Sequence, residues 1–221
     1  MHLAKKARVP VCIHLDHGAN ADIARACLDS GYTSIMYDGS ALAEDENIRN
    51  TRDVVRLAAA YGVPVEGEIG EVKLVEEVAD ITALDHLTEP EQAARFVRET
   101  GVASVAVAVG NIHRMQRKYA RLDFERIRAI CAAVDIPLVI HGSSGISDED
   151  VRRAIQCGIA KVNVATEFSV AFADELRAFT QANPSVFFPM EVLRPAMERV
   201  TEIARDRIGV LGARGACRKG Y

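Results

Sequence analysis

"VPVCIHLDHGAN" (Val9–Asn20) and "IPLVIHGSSG" (Ile136–Gly145) decide how this chain folds. Each is a short β-branched, apolar run that ends in histidine and then glycine, the pattern of a buried parallel strand giving way to a loop. The two align with a shift of 127 residues: the proline, isoleucine, histidine and glycine coincide, His14 falls on His141, and Gly31 falls on Gly158. "VPVEGEIG" (Val63–Gly70) opens a third unit in the same way.

Working outward, strands are expected at Val9–Leu15, Thr33–Tyr37, Val63–Ile69, Ser104–Val109, Pro137–Ile140 and Lys161–Val164. Helical periodicity fills the gaps in "ADIARACLDSG", "NIRNTRDVVRLAAAYG" and "DEDVRRAIQCG", and Gly31, Gly62 and Gly158 follow the last turns, where a left-handed cap favours glycine. Regular βα alternation implies a parallel sheet with helices outside. Repeated units with polar residues at strand C-termini favour a (β/α)8-type barrel over an open doubly wound sheet. Only six units are counted where a closed barrel needs eight, so the expectation is a single TIM-type domain over residues 1–221, truncated to about six βα units.

Composition narrows the function. The chain has 221 residues, a formal charge of −4 and five scattered cysteines without CxxC spacing. A nucleic-acid footprint would need a basic stripe, and no apolar run approaches the about 20 residues that span a bilayer. The cysteines read as reduced thiols, and the expected location is the cytoplasm.

The strand ends collect chemistry: His14, Asp16 and His17; Asp38; Glu66 and Glu68; Asn111 and His113; His141 with "GSSG"; Asn163 and Thr166. His17, His113 and His141 come from three strand ends, and three imidazoles with an open position make a catalytic zinc arrangement. His14 and Asp16 share a strand face, so Asp16 would lie beside the metal with a carboxylate free to move a proton. His14 divides evenly between orienting a neighbour and packing, whereas His2 and His86 read as ordinary structural histidines. "HGSSG" and "NVATE" occupy the loops after the last two strands, the usual phosphate site of such barrels. The basic run Arg114, Arg117, Lys118, Arg121 is either a solvated face or an aid to phosphate attraction. Metal and phosphate together suggest a phosphorylated carbonyl substrate.

"HLDHG", "EGEIG", "LDFERI", "IHGSSGI" and "KVNVATE" closely resemble the class II, metal-dependent ketose-bisphosphate aldolases, from about Val9 to about Gly212. The resemblance implies that His17, His113 and His141 hold one Zn2+ and that Glu68 serves an alternative metal position, with Asp38 nearby. It makes Asp16 the acid/base and Glu77 (or Glu76) the residue exchanging the carbon-bound proton. Gly142, Ser143, Ser144, Asn163, Val164, Ala165 and Thr166 would grip the phosphate end, with a monovalent cation close by. The implied reaction is reversible cleavage of fructose or tagatose 1,6-bisphosphate to dihydroxyacetone phosphate and glyceraldehyde 3-phosphate, by a homodimer or homotetramer. Three departures set this chain apart. Arg114 replaces the glycine that usually follows the zinc histidine, "GEVKLVEEVAD" lacks a Gly-Gly pair, and two βα units expected before Val9 are missing. They motivate an alternative: a non-catalytic metal- or sugar-phosphate-binding homologue, or an inactive fragment.

Overall fold

A computed structural model of the chain describes residues 2–78, 80 and 87–217. A short helix α1 (His2–Lys6) precedes β1 (His14–Gly18), α2 (Ala21–Asp29), β2 (Ser34–Tyr37), α3 (Glu44–Ala59) and β3 (Val65–Ile69). Then follow α4 (Pro90–Thr100), β4 (Ser104–Val107), α5 (Phe124–Ala133), β5 (Leu138–Ile140), α6 (Asp148–Gln156), β6 (Ile159–Val162), α7 (Thr166–Ala182) and α8 (Pro189–Val210). The strands form one parallel sheet in sequence order, β1 to β6, curled into part of a TIM-type barrel.

Alternation along the strands sorts the side chains. Ile35, Tyr37, Val65, Val105, Val107, Leu138 and Ile140 face outward into the core shared with the helices, joined there by Phe96, Ile127 and Ile130. Gly67 belongs to that face, and a Cβ there would stand 2.7 Å from the Phe96 ring, so its absence lets α4 pack close to the sheet. The inner face carries a separate apolar layer of Met36, Ala106 and Val139. Such burial stabilises by about 25 cal/mol per Å² of apolar surface.

The helices start where local chemistry allows. Asn20, Asp123 and Ser147 accept hydrogen bonds from the backbone of Ile23, Arg126 and Asp150 and so cap α2, α5 and α6. Helix α7 is different: Ala165 precedes it and supplies no side-chain cap.

Each of the six strands differs from its expected range at one end or both: β2, β3 and β5 start one or two residues later, β4 ends two residues earlier, and the first and last strands shift at both ends. The first strand was expected over Val9–Leu15 but runs His14–Gly18. Because β2 begins at Ser34, residues 9–12 have no ladder partner, and Val9 and Val11 are exposed. The last strand lies at Ile159–Val162 rather than Lys161–Val164, which puts Asn163 just past its end. His2 is exposed on α1, and His86 lies outside the described residues. No helix among the described residues is long and apolar enough to cross a membrane.

Candidate metal and substrate site

Strand β1 carries His17 to the site by an irregularity. The ladder with β2 pairs Leu15 with Ile35 but Gly18 with Tyr37, so an extra residue is accommodated between them, and His17 has φ +51°. Strict alternation would send His17 outward with Leu15. The bulge and the left-handed backbone turn its ring inward instead. Left-handed backbone costs a non-glycine residue about 1–2 kcal/mol, a strain typical of functional positions.

His141 follows β5 and is 1% exposed, while His113 follows the β4 turn. The three rings meet edge to face, with centroids 4.6 Å (His17–His141), 5.1 Å (His17–His113) and 6.0 Å (His113–His141) apart. One nitrogen from each lies within 4.8 Å of the others. Carboxylates fix which nitrogens face inward. Asp38 Oδ2 holds His17 Nδ1 at 2.6 Å, and Glu66 Oε1 holds His141 Nε2 at 3.0 Å. That leaves His17 Nε2 and His141 Nδ1 only 2.8 Å apart. Zinc–nitrogen bonds of about 2.0–2.1 Å put tetrahedral ligands about 3.3 Å apart, so small adjustments suffice.

A second observation favours a cation. Glu68 Oε2 is buried without a hydrogen-bond partner and lies 3.9 Å from His17 Nδ1. Burial, reinforced by the Asp38 charge, pushes the Glu68 carboxyl up to about 8. His17, Asp38 and Glu68 form a second group able to hold an ion. The residues therefore fit a divalent metal, with neutral imidazoles as donors.

Electrostatics around the rings have identifiable sources. Burial works against charge on His17, but the Asp38 hydrogen bond and the Glu68 carboxylate outweigh it and raise the imidazole to about 8. Burial and the neighbouring His17 and His141 lower His113 to about 4. Burial opposes ionisation of Glu66, yet the bonds to His141 and Lys161 hold it down to about 2.

Glu66 and Lys161 are the residues that sequence reading missed. In sequence Glu66 reads only as a strand-end carboxylate, and Lys161 only as a strand start. Lys161 Nζ donates to Glu66 Oε2 at 2.7 Å and approaches His14 Nε2 at 3.3 Å, and His14 Nδ1 bonds Ser34 Oγ at 2.8 Å. Period-two spacing was the available signal: Glu66 lies two residues from Glu68, and Lys161 two from Asn163. Orienting partners of ligand histidines typically change metal affinity about 10–100-fold when lost. We therefore expect Glu66→Gln to weaken zinc binding by about that factor with little change in fold, as titration against a competing chelator would measure.

Asp16 stands at the rim, half exposed, with Oδ1 accepting from Asn163 Nδ2 at 2.9 Å, 3.8 Å from His141 Nδ1 and 4.0 Å from His17 Nε2. This contact links β1 to the end of β6 across the curled sheet. Gly142 (φ +66°) opens the turn Ser143–Gly145, and a Cβ there would lie 2.5 Å from the Ile112 carbonyl oxygen. Ser143 Oγ donates to the Asn163 carbonyl at 2.5 Å, and Ser144 Oγ accepts from Glu167 N at 3.1 Å. Ser144 thus supplies from another loop a hydrogen bond that Ala165 cannot give to the start of α7, and the hydroxyls and backbone N–H groups gathered at this corner have the chemistry that suits an anion. Gly142, Ser143, Ser144, Asn163, Ala165 and Thr166 line one small cavity with Asp16 and the three histidines, whereas half-buried Val164 lines neither of the cavities around the rings.

A larger cavity, about 740 Å³, opens over the rings and is lined by Glu68, Glu71, Glu76, Glu77, Arg114 and Gln116 among others. Its loop is stitched to the chain at His113: His113 N donates to the Lys73 carbonyl at 2.9 Å, and Val75 N to the His113 carbonyl at 3.0 Å. Glu77 Oε2 accepts from Leu74 N at 2.9 Å. Of the basic run, Lys118 pairs with Asp148.

The family model described as "Fructose-bisphosphate aldolase class-II" matches residues 1–216. A Bacillus subtilis (strain 168) protein named 6-phospho-5-dehydro-2-deoxy-D-gluconate aldolase is 40% identical over 213 residues, covering 96% of this chain and 72% of the relative. The crystal structure of the YdjI aldolase from Escherichia coli K12 matches at 36% identity with a TM-score of 0.81, over 98% of this chain and 74% of that one. A Campylobacter jejuni fructose-bisphosphate aldolase structure, 23% identical, matches at a TM-score of 0.77 over 96% of this chain and 73% of its own, and bears on the fold alone.

Proposed function

Because this chain belongs to the class II fructose-bisphosphate aldolase family and is a carbon–carbon lyase, we propose that it reversibly cleaves a ketose 1,6-bisphosphate, fructose or tagatose, to dihydroxyacetone phosphate and glyceraldehyde 3-phosphate. The observation that carries this reading is the convergence of His17, His113 and His141 beside Asp16. A bound Zn2+ would act as a Lewis acid, drawing negative charge onto the substrate's carbonyl oxygen. His17, His113 and His141 would hold it, with Glu68 available at an alternative position.

The remaining work belongs to the chain. Gly142, Ser143, Ser144 and the start of α7 bind the phosphate next to the ketone. Asp16 takes the proton of the C4 hydroxyl as the C3–C4 bond breaks and the C4 carbon becomes an aldehyde. Glu77 or Glu76, on the wall of the large cavity, returns a proton to the dihydroxyacetone carbon. In the synthetic direction the roles reverse. A monovalent cation beside the phosphate loops, a homodimer or homotetramer, and a cytoplasmic location complete the proposal.

A second reading concerns substrate alone and is favoured by the 40% identical relative. The same C–C cleavage on 6-phospho-5-dehydro-2-deoxy-D-gluconate gives dihydroxyacetone phosphate with a carboxylate-bearing aldehyde, 3-oxopropanoate. The test is a cleavage assay on the 221-residue chain with fructose bisphosphate, tagatose bisphosphate and this third compound, with chelator and then restored zinc. We expect turnover that disappears with chelator and returns with zinc, and the preferred compound names the substrate. No turnover of any of the three by zinc-loaded protein would overturn the aldolase reading in favour of a metal-binding homologue.

A further inference from the structure

Arg114 follows a metal-site histidine with a backbone φ of +60°, a conformation that glycine adopts freely and that costs other residues energy. Besides His17, it is the one non-glycine residue with positive φ among the described residues, and the other marks the metal site. The side chain is exposed on the wall of the 740 Å³ cavity and has no hydrogen-bond or ion-pair partner among the described residues. Its guanidinium is also the one fixed positive charge among the residues lining that cavity. Three of the cavity's carboxylates have partners of their own: Glu71 pairs with Lys73, Glu77 accepts from Leu74 N, and Asp38 holds His17. Strain is retained where a side chain does something that the strain-free residue cannot.

Resting on the aldolase reading, we propose that Arg114 is a specificity-determining residue that binds the terminal anion of the aldehyde half of the substrate. The dihydroxyacetone phosphate end has its own corner at Gly142–Ser144, which line the smaller cavity and not the larger one, while Ala165 and Thr166 at the start of α7 line both. The aldehyde half extends into the larger cavity, and there Arg114 meets its charge. Both candidate aldehydes carry one: phosphate on glyceraldehyde 3-phosphate, carboxylate on 3-oxopropanoate. A planar guanidinium suits either through paired N–H···O bonds.

The experiment runs the reaction in the synthetic direction on zinc-loaded protein, with dihydroxyacetone phosphate and three aldehydes: glyceraldehyde 3-phosphate, 3-oxopropanoate and uncharged glyceraldehyde. Arg114→Gly relieves the backbone strain, so its melting temperature should not fall below that of the wild type. We expect its kcat/KM for the preferred charged aldehyde to drop about 10- to 100-fold more than for glyceraldehyde, through KM, the size of one charge-assisted contact. Arg114→Lys should recover part of that loss. The aldehyde that loses most distinguishes phosphate from carboxylate. Equal loss across all three aldehydes, or none, overturns the role of Arg114 and leaves the aldolase reading standing. Failure of the wild type with every aldehyde overturns both.

Discussion

Asp16→Ala should lower kcat by about 10²- to 10⁴-fold while zinc content stays at one per chain, the range for removing a positioned general acid/base. Its carboxylate is fixed by the Asn163 amide at 2.9 Å, 3.8 Å and 4.0 Å from the facing nitrogens of His141 and His17. It stands near the site without being one of the three imidazoles that would hold the ion. The side chain is half exposed, so its removal leaves no buried unpaired charge and the fold should persist. Metal analysis with steady-state cleavage tests this. Cleavage by the variant at the wild-type rate would remove Asp16 from the mechanism.

His141→Ala should act one step earlier, on the ion itself. Zinc affinity should fall by more than the about 10- to 100-fold that losing an orienting partner costs. Turnover should drop at least about 10³-fold, because several kcal/mol of charge stabilisation leave with the metal. His141 is 1% exposed and bridges Glu66 and His17, so the substitution also opens a small void. Glu66 keeps Lys161 as a partner at 2.7 Å, which limits the damage to folding. Comparing melting temperatures of variant and wild type in chelator separates folding from metal binding. Full zinc occupancy in a folded variant would show that His141 is no ligand.

The two predictions differ in how readily sequence alone could reach them. Asp16 and His141 lie at the ends of two aligned segments, and their place at strand C-termini follows from the repeat of apolar run, histidine and glycine. The six βα units were legible for the same reason: buried parallel strands read as largely apolar, β-branched runs, and the glycines after helices mark the turns. Boundaries were legible only within a few residues. Val9 and Val11 read as strand because they are β-branched, but a strand also needs a neighbour along its ladder, and β2 does not extend that far.

Sequence by itself determined the class of fold, the family, and the residues that reach the strand ends, since each depends on periodicity or on a contiguous motif. Tertiary structure alone decided the rest. His17 turns inward through a bulge and a left-handed backbone. Glu66 and Lys161 couple His141 to the sheet interior, and Asp16 meets Asn163 across the molecule. Arg114 holds a glycine-like conformation at the wall of the cavity. The contacts among Asp16, Asn163, Glu66 and Lys161 share one physical reason. Strand twist accumulates over six parallel strands until β1 and β6 curl toward each other. Side chains far apart in sequence then share one small interior, where charge and hydrogen bonding set their roles.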